Sequence, residues 1–73
     1  MITYNDEKTS RRLKELRMGI GFTQMELAQK IGVAQNTYSQ YEVGIARMSI
    51  EVLTLLTQVL ETTADYLLGI TEI

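Results

Sequence analysis

The side chains available for chemistry are limited to carboxylates, hydroxyls and amines, because the 73-residue chain contains no histidine and no cysteine. The usual metal ligands, the common general base and the thiol nucleophile are therefore missing. A disulfide framework and a thiolate zinc site are excluded for the same reason. We expect no enzyme, no metal and no cofactor, and no small-molecule ligand is indicated. Catalysis by the carboxylates and hydroxyls has no support in the sequence.

The charges are distributed unevenly along the chain. The net charge of -2 argues against a nucleic-acid partner. However, all seven basic residues lie in the first 47 positions, where five acids leave a net charge of +2, whereas residues 48–73 carry four acids, no basic residue and a net charge of -4. Such a molecule can offer one face to phosphate, although simple solvation of helix faces remains the alternative for any single charge. The basic residues are Lys8, Arg11, Arg12, Lys14, Arg17, Lys30 and Arg47.

The length allows one domain with a small core, so a dimer is expected to contribute stability. No apolar run approaches the roughly 20 residues that span a bilayer. The N-terminal sequence MITYNDEKTSRR lacks the apolar centre of a signal peptide. We therefore expect a cytoplasmic protein without a membrane partner.

Five glycines and no proline divide the chain into helical segments, which predicts an all-α fold. The first helix is predicted at about Glu7–Met18, broken by Gly19 and Gly21, with its basic residues mostly outward. We expect a flexible N-terminal segment at 1–6, a domain at 7–69 and a tail at 70–73 that is either frayed or a dimer contact. The apolar residues predicted to face inward are Leu13, Leu16 and Ile20.

The second helix, predicted at Gln24–Ile31, has the clearest start signal. Thr23 and Glu26 form the pattern of a capping box, and Phe22 with Leu27 fits a hydrophobic staple. Gly32 suits a left-handed helix end. Ala28 lies four residues before that glycine and would let two helices approach closely.

The third helix is predicted at Gln35–Val43, ending at Gly44, with a weak cap at Ala34. Two short helices joined at Gly32 are typical of a helix-turn-helix, although any αα-hairpin shares this spacing. Ser49 is predicted to cap a fourth helix, and Thr63 a fifth at Ala64–Leu68 that ends at Gly69. The inward stripe of the fourth helix is predicted to be Leu53, Leu56 and Leu60.

Four stretches of the chain form one larger pattern. They are L-K-E-L-R at 13–17, T-Q-x-E-L-A-x-K-I-G at 23–32, Y-S-Q-Y-E-x-G at 38–44 and D-Y-L-L-G at 65–69. The pattern closely resembles the phage repressor and Cro-type (XRE-type, lambda-repressor-like) helix-turn-helix family, over almost the whole chain after residue 8. The resemblance implies a compact five-helix domain and a transcriptional regulator that binds operator DNA as a symmetric dimer.

The resemblance assigns roles to residues of the third helix. Gln35, Asn36 and Gln40 fall on the base-reading positions, and their amides suit the paired donor and acceptor of adenine in the major groove. Thr37 and Ser39 fall on phosphate or secondary base contacts. The alternative for all of them is a polar, solvated helix face.

Further residues match the family's backbone contacts and its internal ion pair. Gln24 matches a phosphate clamp at a helix N-terminus, against the alternative of a simple helix-start residue. Arg17 and Glu42 match a structural salt bridge. Core roles are favoured for Tyr38 and Tyr41, although the Tyr41 hydroxyl could contact a phosphate. The remaining candidate backbone contacts are Arg47 and, on the first helix, Arg11, Arg12 and Lys14.

The chain departs from the family pattern at Ala34, where a hydroxyl residue is usual, and in the loop 45–47, which holds one basic residue. Both departures predict modest non-specific affinity. They leave open a protein-interaction module of the same fold, such as an antitoxin-like or anti-repressor partner. The apolar residues expected to support dimerisation are Leu67, Ile70 and Ile73.

Overall fold

In a computed structural model, residues 6–72 are described, and they form five α-helices without a strand. The helices, numbered in chain order, are α1 Asp6–Ile20, α2 Gln24–Ile31, α3 Gln35–Val43, α4 Ile50–Val59 and α5 Ala64–Leu67. The all-α prediction is confirmed, with the helices in the expected order. Residues 1–5 of the predicted N-terminal segment, and Ile73 of the predicted tail, lie outside the described residues.

A single core joins the helices. α3 packs against both α1 and α2, while α5 packs against α1 and α4 packs against α2 and α5. Burying apolar side chains at these contacts is the main source of stability in a domain this small. Because α3 is held on two sides, its remaining face is fixed towards solvent. The buried core residues are Leu13, Leu27, Ala28, Ile31, Tyr38, Tyr41, Leu56, Leu60 and Leu67.

The start of α2 confirms the predicted capping box. The Thr23 hydroxyl accepts from the backbone N–H of Glu26 at 3.1 Å, and the Glu26 carboxylate accepts from the backbone N–H of Thr23 at 2.8 Å. Hydrogen bonding of the Glu26 carboxylate to the backbone N–H of Thr23, and to a smaller extent to its side chain, lowers the pKa of Glu26. At the other end, Gly32 adopts φ +76° and donates to carbonyls of the last turn of α2. The turn between α2 and α3 therefore has the predicted geometry.

The start of α3 confirms the predicted lack of a cap. Ala34 has the extended conformation of a cap residue, with φ -67° and ψ 149°, but no side chain accepts from the first turn. By contrast, Ser49 accepts from Val52 and Thr63 accepts from Tyr66, each at 3.1 Å, at the starts of α4 and α5. Of the four helices whose caps can be compared, α3 is thus the one without a side-chain acceptor for its first-turn N–H groups.

We expect Ala34→Thr to stabilise the domain by about 1 kcal/mol, because the backbone already has the capping conformation and gains a hydroxyl acceptor. In a domain of this size, that gain corresponds to a rise of roughly 4–8 °C in Tm. Thermal unfolding followed by circular dichroism checks it. Ala34→Val is the matched control, since valine has the shape of threonine without the oxygen. Equal melting temperatures for the two variants would contradict the capping explanation.

Several sequence predictions at the edges of the core are wrong. α1 continues through Gly19 to Ile20 and the chain turns at Gly21, which has φ +100°. A helix tolerates one glycine, so Gly19 did not have to end it. Ile20 is 45% exposed, since it lies in the last turn of α1 next to that reversal. α5 ends at Leu67, and Leu67 is fully buried and cannot serve as an exposed dimer contact.

Arg12 is an exception to the prediction that the basic residues of α1 lie mostly outward. Its residue is only 6% exposed, and its Nη1 donates to the carbonyls of Tyr66 and Thr71, each at 2.6 Å. Its Nη2 lies 3.1 Å from a carboxylate oxygen of Glu72, and the guanidinium stacks 4.1 Å from the centre of the Tyr66 ring. The guanidinium thus links the carbonyl of Tyr66 in α5, and that of Thr71 after it, to α1. Residues 70–72 of the predicted tail thus lie against α1.

Candidate nucleic-acid interface

The inner face of α3 is built from two tyrosines. Tyr38 is fully buried and Tyr41 is 8% exposed, and their rings meet edge to face with centres 6.2 Å apart. Edge-to-face contact is a favoured arrangement for aromatic pairs. The Ser10 hydroxyl donates to the carbonyl of Tyr41 at 3.0 Å and ties α3 to α1. These contacts fix the rotation of α3 about its own axis.

The opposite face of α3 presents the predicted base-reading residues. Gln35 and Asn36 are exposed, while Gln40 is half-buried one helical turn after Asn36. Within residues 6–72, the side-chain amides of these three residues form no hydrogen bond with the chain. Their donors and acceptors are therefore available to a ligand. Thr37 and Ser39 flank them and are half-buried.

Arg17 and Glu42 form the ion pair that the family resemblance implies. Arg17 Nε lies 2.6 Å from one carboxylate oxygen and Nη2 lies 3.1 Å from the other, so the pair is bidentate. The side chains are 11% and 3% exposed. Arg17 Nη1 also donates to the carbonyl of Phe22 at 2.8 Å, and the Tyr38 hydroxyl donates to the Glu42 carboxylate. The pair thus joins the end of α1 and the start of α2 to α3.

The environment of Glu42 keeps it ionised. Burial by itself would raise the pKa of Glu42, but hydrogen bonds from Arg17, Tyr38 and Gln24 outweigh it, so the net pKa is lowered. The hydrogen bond to Glu42 raises the pKa of Arg17, and burial raises the pKa of Tyr38. At neutral pH the cluster therefore contains a carboxylate, a guanidinium and a neutral phenol.

Gln24 is the first residue of α2 and is half-buried. Its side-chain Nε2 donates to the Glu42 carboxylate at 3.1 Å. The sequence predicted a contact from Gln24 to a ligand phosphate and did not predict this internal partner. The first-turn backbone N–H groups of α2 lie beside it, and a helix start attracts anions.

The basic residues around this face are few. Arg11 is exposed and lies 3.6 Å from Glu15, as an i,i+4 pair on α1. Arg47 is exposed on the loop between α3 and α4, whereas Arg12 is buried and directed at the C-terminal segment. Arg12 is therefore not available as the contact to a DNA backbone that the sequence analysis considered. An open depression separates α1 from the end of α3, lined by Glu7, Ser10, Arg11, Lys14, Glu42, Val43 and Gly44.

Sequence reasoning missed the structural role of Arg12. The sequence did indicate that Arg12 could lie on the inward face of α1, because it precedes Leu16 by four residues and follows Thr9, which is buried, by three. Residues spaced in this way share one helix face. A basic residue on that face has to find acceptors when the helix packs. Its acceptors are 54 to 60 residues away in the chain, so no local pattern named them.

The chain belongs to the helix-turn-helix family, whose model matches residues 13–67. This confirms the resemblance and the compact lambda-repressor-like fold class. Three similar proteins come from Bacillus subtilis strain 168, and the chain spans about half the length of each. The "HTH-type transcriptional regulator AnsR" is 41% identical over 80% of this chain and 50% of its own length.

The other two relatives give the same description. The "HTH-type transcriptional regulator ImmR" is 36% identical over 86% of this chain and 50% of its own length. The "Uncharacterized HTH-type transcriptional regulator YobD" is 34% identical over 84% of this chain and 54% of its own length. The relatives are thus named as regulators of transcription. Among residues 6–72, no helix has the length and apolar character needed to cross a membrane.

Proposed function

We propose that this chain is a sequence-specific double-stranded DNA-binding transcriptional regulator that acts as a repressor. The supporting observation is the outward face of α3, where three side-chain amides have no hydrogen-bond partner among residues 6–72 while the inner face is fixed on the core. Amides paired internally would be unavailable to bases, and amides on a mobile element would lose entropy on binding. The names of the Bacillus subtilis regulators agree with this function.

In the proposed complex, α3 enters the major groove. Gln35, Asn36 and Gln40 contact base edges, and each amide can donate to and accept from an adenine at once. The backbone contacts that accompany them are weak or few, because Arg11 is paired on its own helix and Tyr41 is largely buried. The proposed backbone or secondary contacts are Gln24, Thr37, Ser39, Tyr41, Arg47 and Arg11.

The repressor is proposed to bind a palindromic operator as a homodimer. The described residues measure 34 × 22 × 19 Å, so two copies on half-sites about 34 Å apart are close enough to touch. Three exposed apolar side chains are available for such a contact. Ile70 is 42% exposed, while Ile45 and Ile50 are 77% and 83% exposed.

Selection of bound sequences from a random duplex pool tests the function and the dimer together. The expected result is one inverted repeat whose halves are centred about one helical turn apart. A single unrepeated half-site would contradict the dimer. A pool that stays random after selection would contradict sequence-specific binding.

On the selected operator, we expect Gln35→Ala to weaken binding by about 1–3 kcal/mol and to relax preference at one base pair of each half-site. The variant loses a bidentate base contact but keeps the phosphate contacts. Titrations against the operator and against base-substituted operators measure both effects. Gln58→Ala is the matched control, since Gln58 is an exposed amide on α4. Equal losses on operator and random DNA would refute the base contact of Gln35.

A protein-interaction module of the same fold is the competing proposal. It is favoured by the end of α3, where Val43 is 63% exposed, and by the loop that follows, where Ile45 is 77% exposed and Arg47 is the one basic residue. A salt titration on mixed duplex DNA separates the two functions. Protein binding releases counterions from DNA, so the logarithm of the DNA-binding constant falls linearly with the logarithm of the salt concentration. A module that binds protein alone would give no salt-dependent DNA binding.

A further inference from the structure

The carboxylate of Glu42 accepts hydrogen bonds both from the residues that hold its buried charge and from Gln24. Arg17 contributes two hydrogen bonds and Tyr38 one, which together neutralise and hold the buried charge. The fourth hydrogen bond comes from Gln24 Nε2, at 3.1 Å. A carboxylate accepts about four hydrogen bonds, so this set is complete. The contact with Gln24 also fixes the Gln24 side chain in place.

The contact determines which way the Gln24 amide faces. An ionised carboxylate can only accept, and the hydrogen bonds around Glu42 lower its pKa, so the amide nitrogen and not the amide oxygen has to face it. A primary amide nitrogen carries two hydrogens. One is used by Glu42, and the second remains for a ligand beside the first-turn N–H groups of α2.

From this geometry we infer that Glu42 is a positioning residue, which orients the Gln24 amide towards a phosphate of the DNA backbone. The inference rests on the proposed function and deepens it. Glu42 lies on α3 and Gln24 starts α2, so their hydrogen bond links the phosphate contact to the helix that contacts bases. Glu42 would thus make no DNA contact of its own, but would set the distance between the residue that contacts a phosphate and the helix that contacts bases.

A scan of the operator with single neutral methylphosphonates tests this inference. The unaltered protein is expected to lose about 3- to 10-fold in affinity when the phosphate at Gln24 is replaced, as for the loss of one ordinary hydrogen bond. Gln24→Ala should bind all sequences more weakly and be insensitive at that phosphate. Glu42→Gln and Glu42→Asp should also be insensitive there, while remaining sensitive at other phosphates and keeping their base preference.

Tyr38→Phe is the control for simple loss of stability. It removes a different hydrogen bond to the same carboxylate and leaves Gln24 untouched. Folded Tyr38→Phe protein should therefore keep the full sensitivity at the Gln24 phosphate. Sensitivity retained by folded Glu42→Asp or Glu42→Gln protein would overturn the inference and leave Glu42 a structural residue.

Other outcomes separate the inference from the proposed function. If Gln24→Ala keeps the sensitivity of the unaltered protein on a selected operator, the inference fails while the function stands. If no operator is selected, the function itself fails. Should both Glu42 variants unfold, NMR of the unaltered complex decides the matter. One Gln24 side-chain proton should exchange more slowly than those of Gln58, and equal exchange would overturn the inference.

Discussion

Glu42→Leu is expected to destabilise the domain by about 3–5 kcal/mol, which is enough to unfold much of the population of so small a protein. The leucine leaves Arg17 charged, with a side chain 11% exposed and only the carbonyl of Phe22 to accept from it. The Tyr38 hydroxyl and the Gln24 amide lose their acceptor as well. Urea unfolding at neutral pH measures the loss.

The matched control removes the whole polar cluster. Combining Arg17→Met, Tyr38→Phe and Glu42→Leu leaves no buried charge, so this triple variant should recover most of the lost stability. The free energy of unfolding of the triple variant should also depend less on pH in the acidic range. Because the folded pKa of Glu42 is lowered, its contribution is present above about pH 4.5 and is lost as the pH falls through the folded value. A triple variant as unstable as Glu42→Leu would show that packing, and not the unpaired charge, dominates.

Arg12→Met should have the second largest effect, a loss of about 2–4 kcal/mol. Methionine fills much of the volume but removes the guanidinium hydrogen bonds to the carbonyls of Tyr66 and Thr71, and the stacking on the Tyr66 ring. Because these carbonyls follow or belong to α5, we expect that helix to loosen first. Amide hydrogen exchange of α5, together with urea unfolding, measures both effects.

The neighbouring Arg11 provides the comparison for this result. Its side chain is 61% exposed and makes an i,i+4 pair with Glu15, so Arg11→Met should change stability by less than about 0.5 kcal/mol. Arg12→Lys keeps the charge but cannot reproduce the planar fork, and should lie between Arg11→Met and Arg12→Met. Equal effects at positions 11 and 12 would refute the distinction between the two arginines.

Helix starts were predictable from the sequence because their causes are local. Thr23, Glu26 and Gly32 act within a few residues of where they stand, and the missing hydroxyl at Ala34 is equally local. The outward face of α3 was assigned from the family resemblance, whereas the caps followed from local spacing. Predictions of this kind depend on the backbone of one helix and on nothing that packs against it.

The errors have a common physical origin in tertiary contacts. Arg12 was counted among the candidate backbone contacts because its acceptors lie 54 to 60 residues away, in α5 and the segment after it. Leu67 was expected to be exposed because only the packing of α5 on α1 and α4 buries it. The hydrogen bond from Gln24 to Glu42 spans 18 positions and depends on how α2 crosses α3. The pairing of Arg17 with Glu42 came from the family resemblance, since spacing alone does not join charges 25 positions apart.

The uncapped start of α3 has a consequence at the level of the gene. Codons for alanine differ from those for threonine and for serine by one nucleotide, so a cap at Ala34 is a single point mutation away. Such a change would leave the amides of Gln35, Asn36 and Gln40 as they are. The stability of α3 and the side chains on its outward face can therefore change independently of each other.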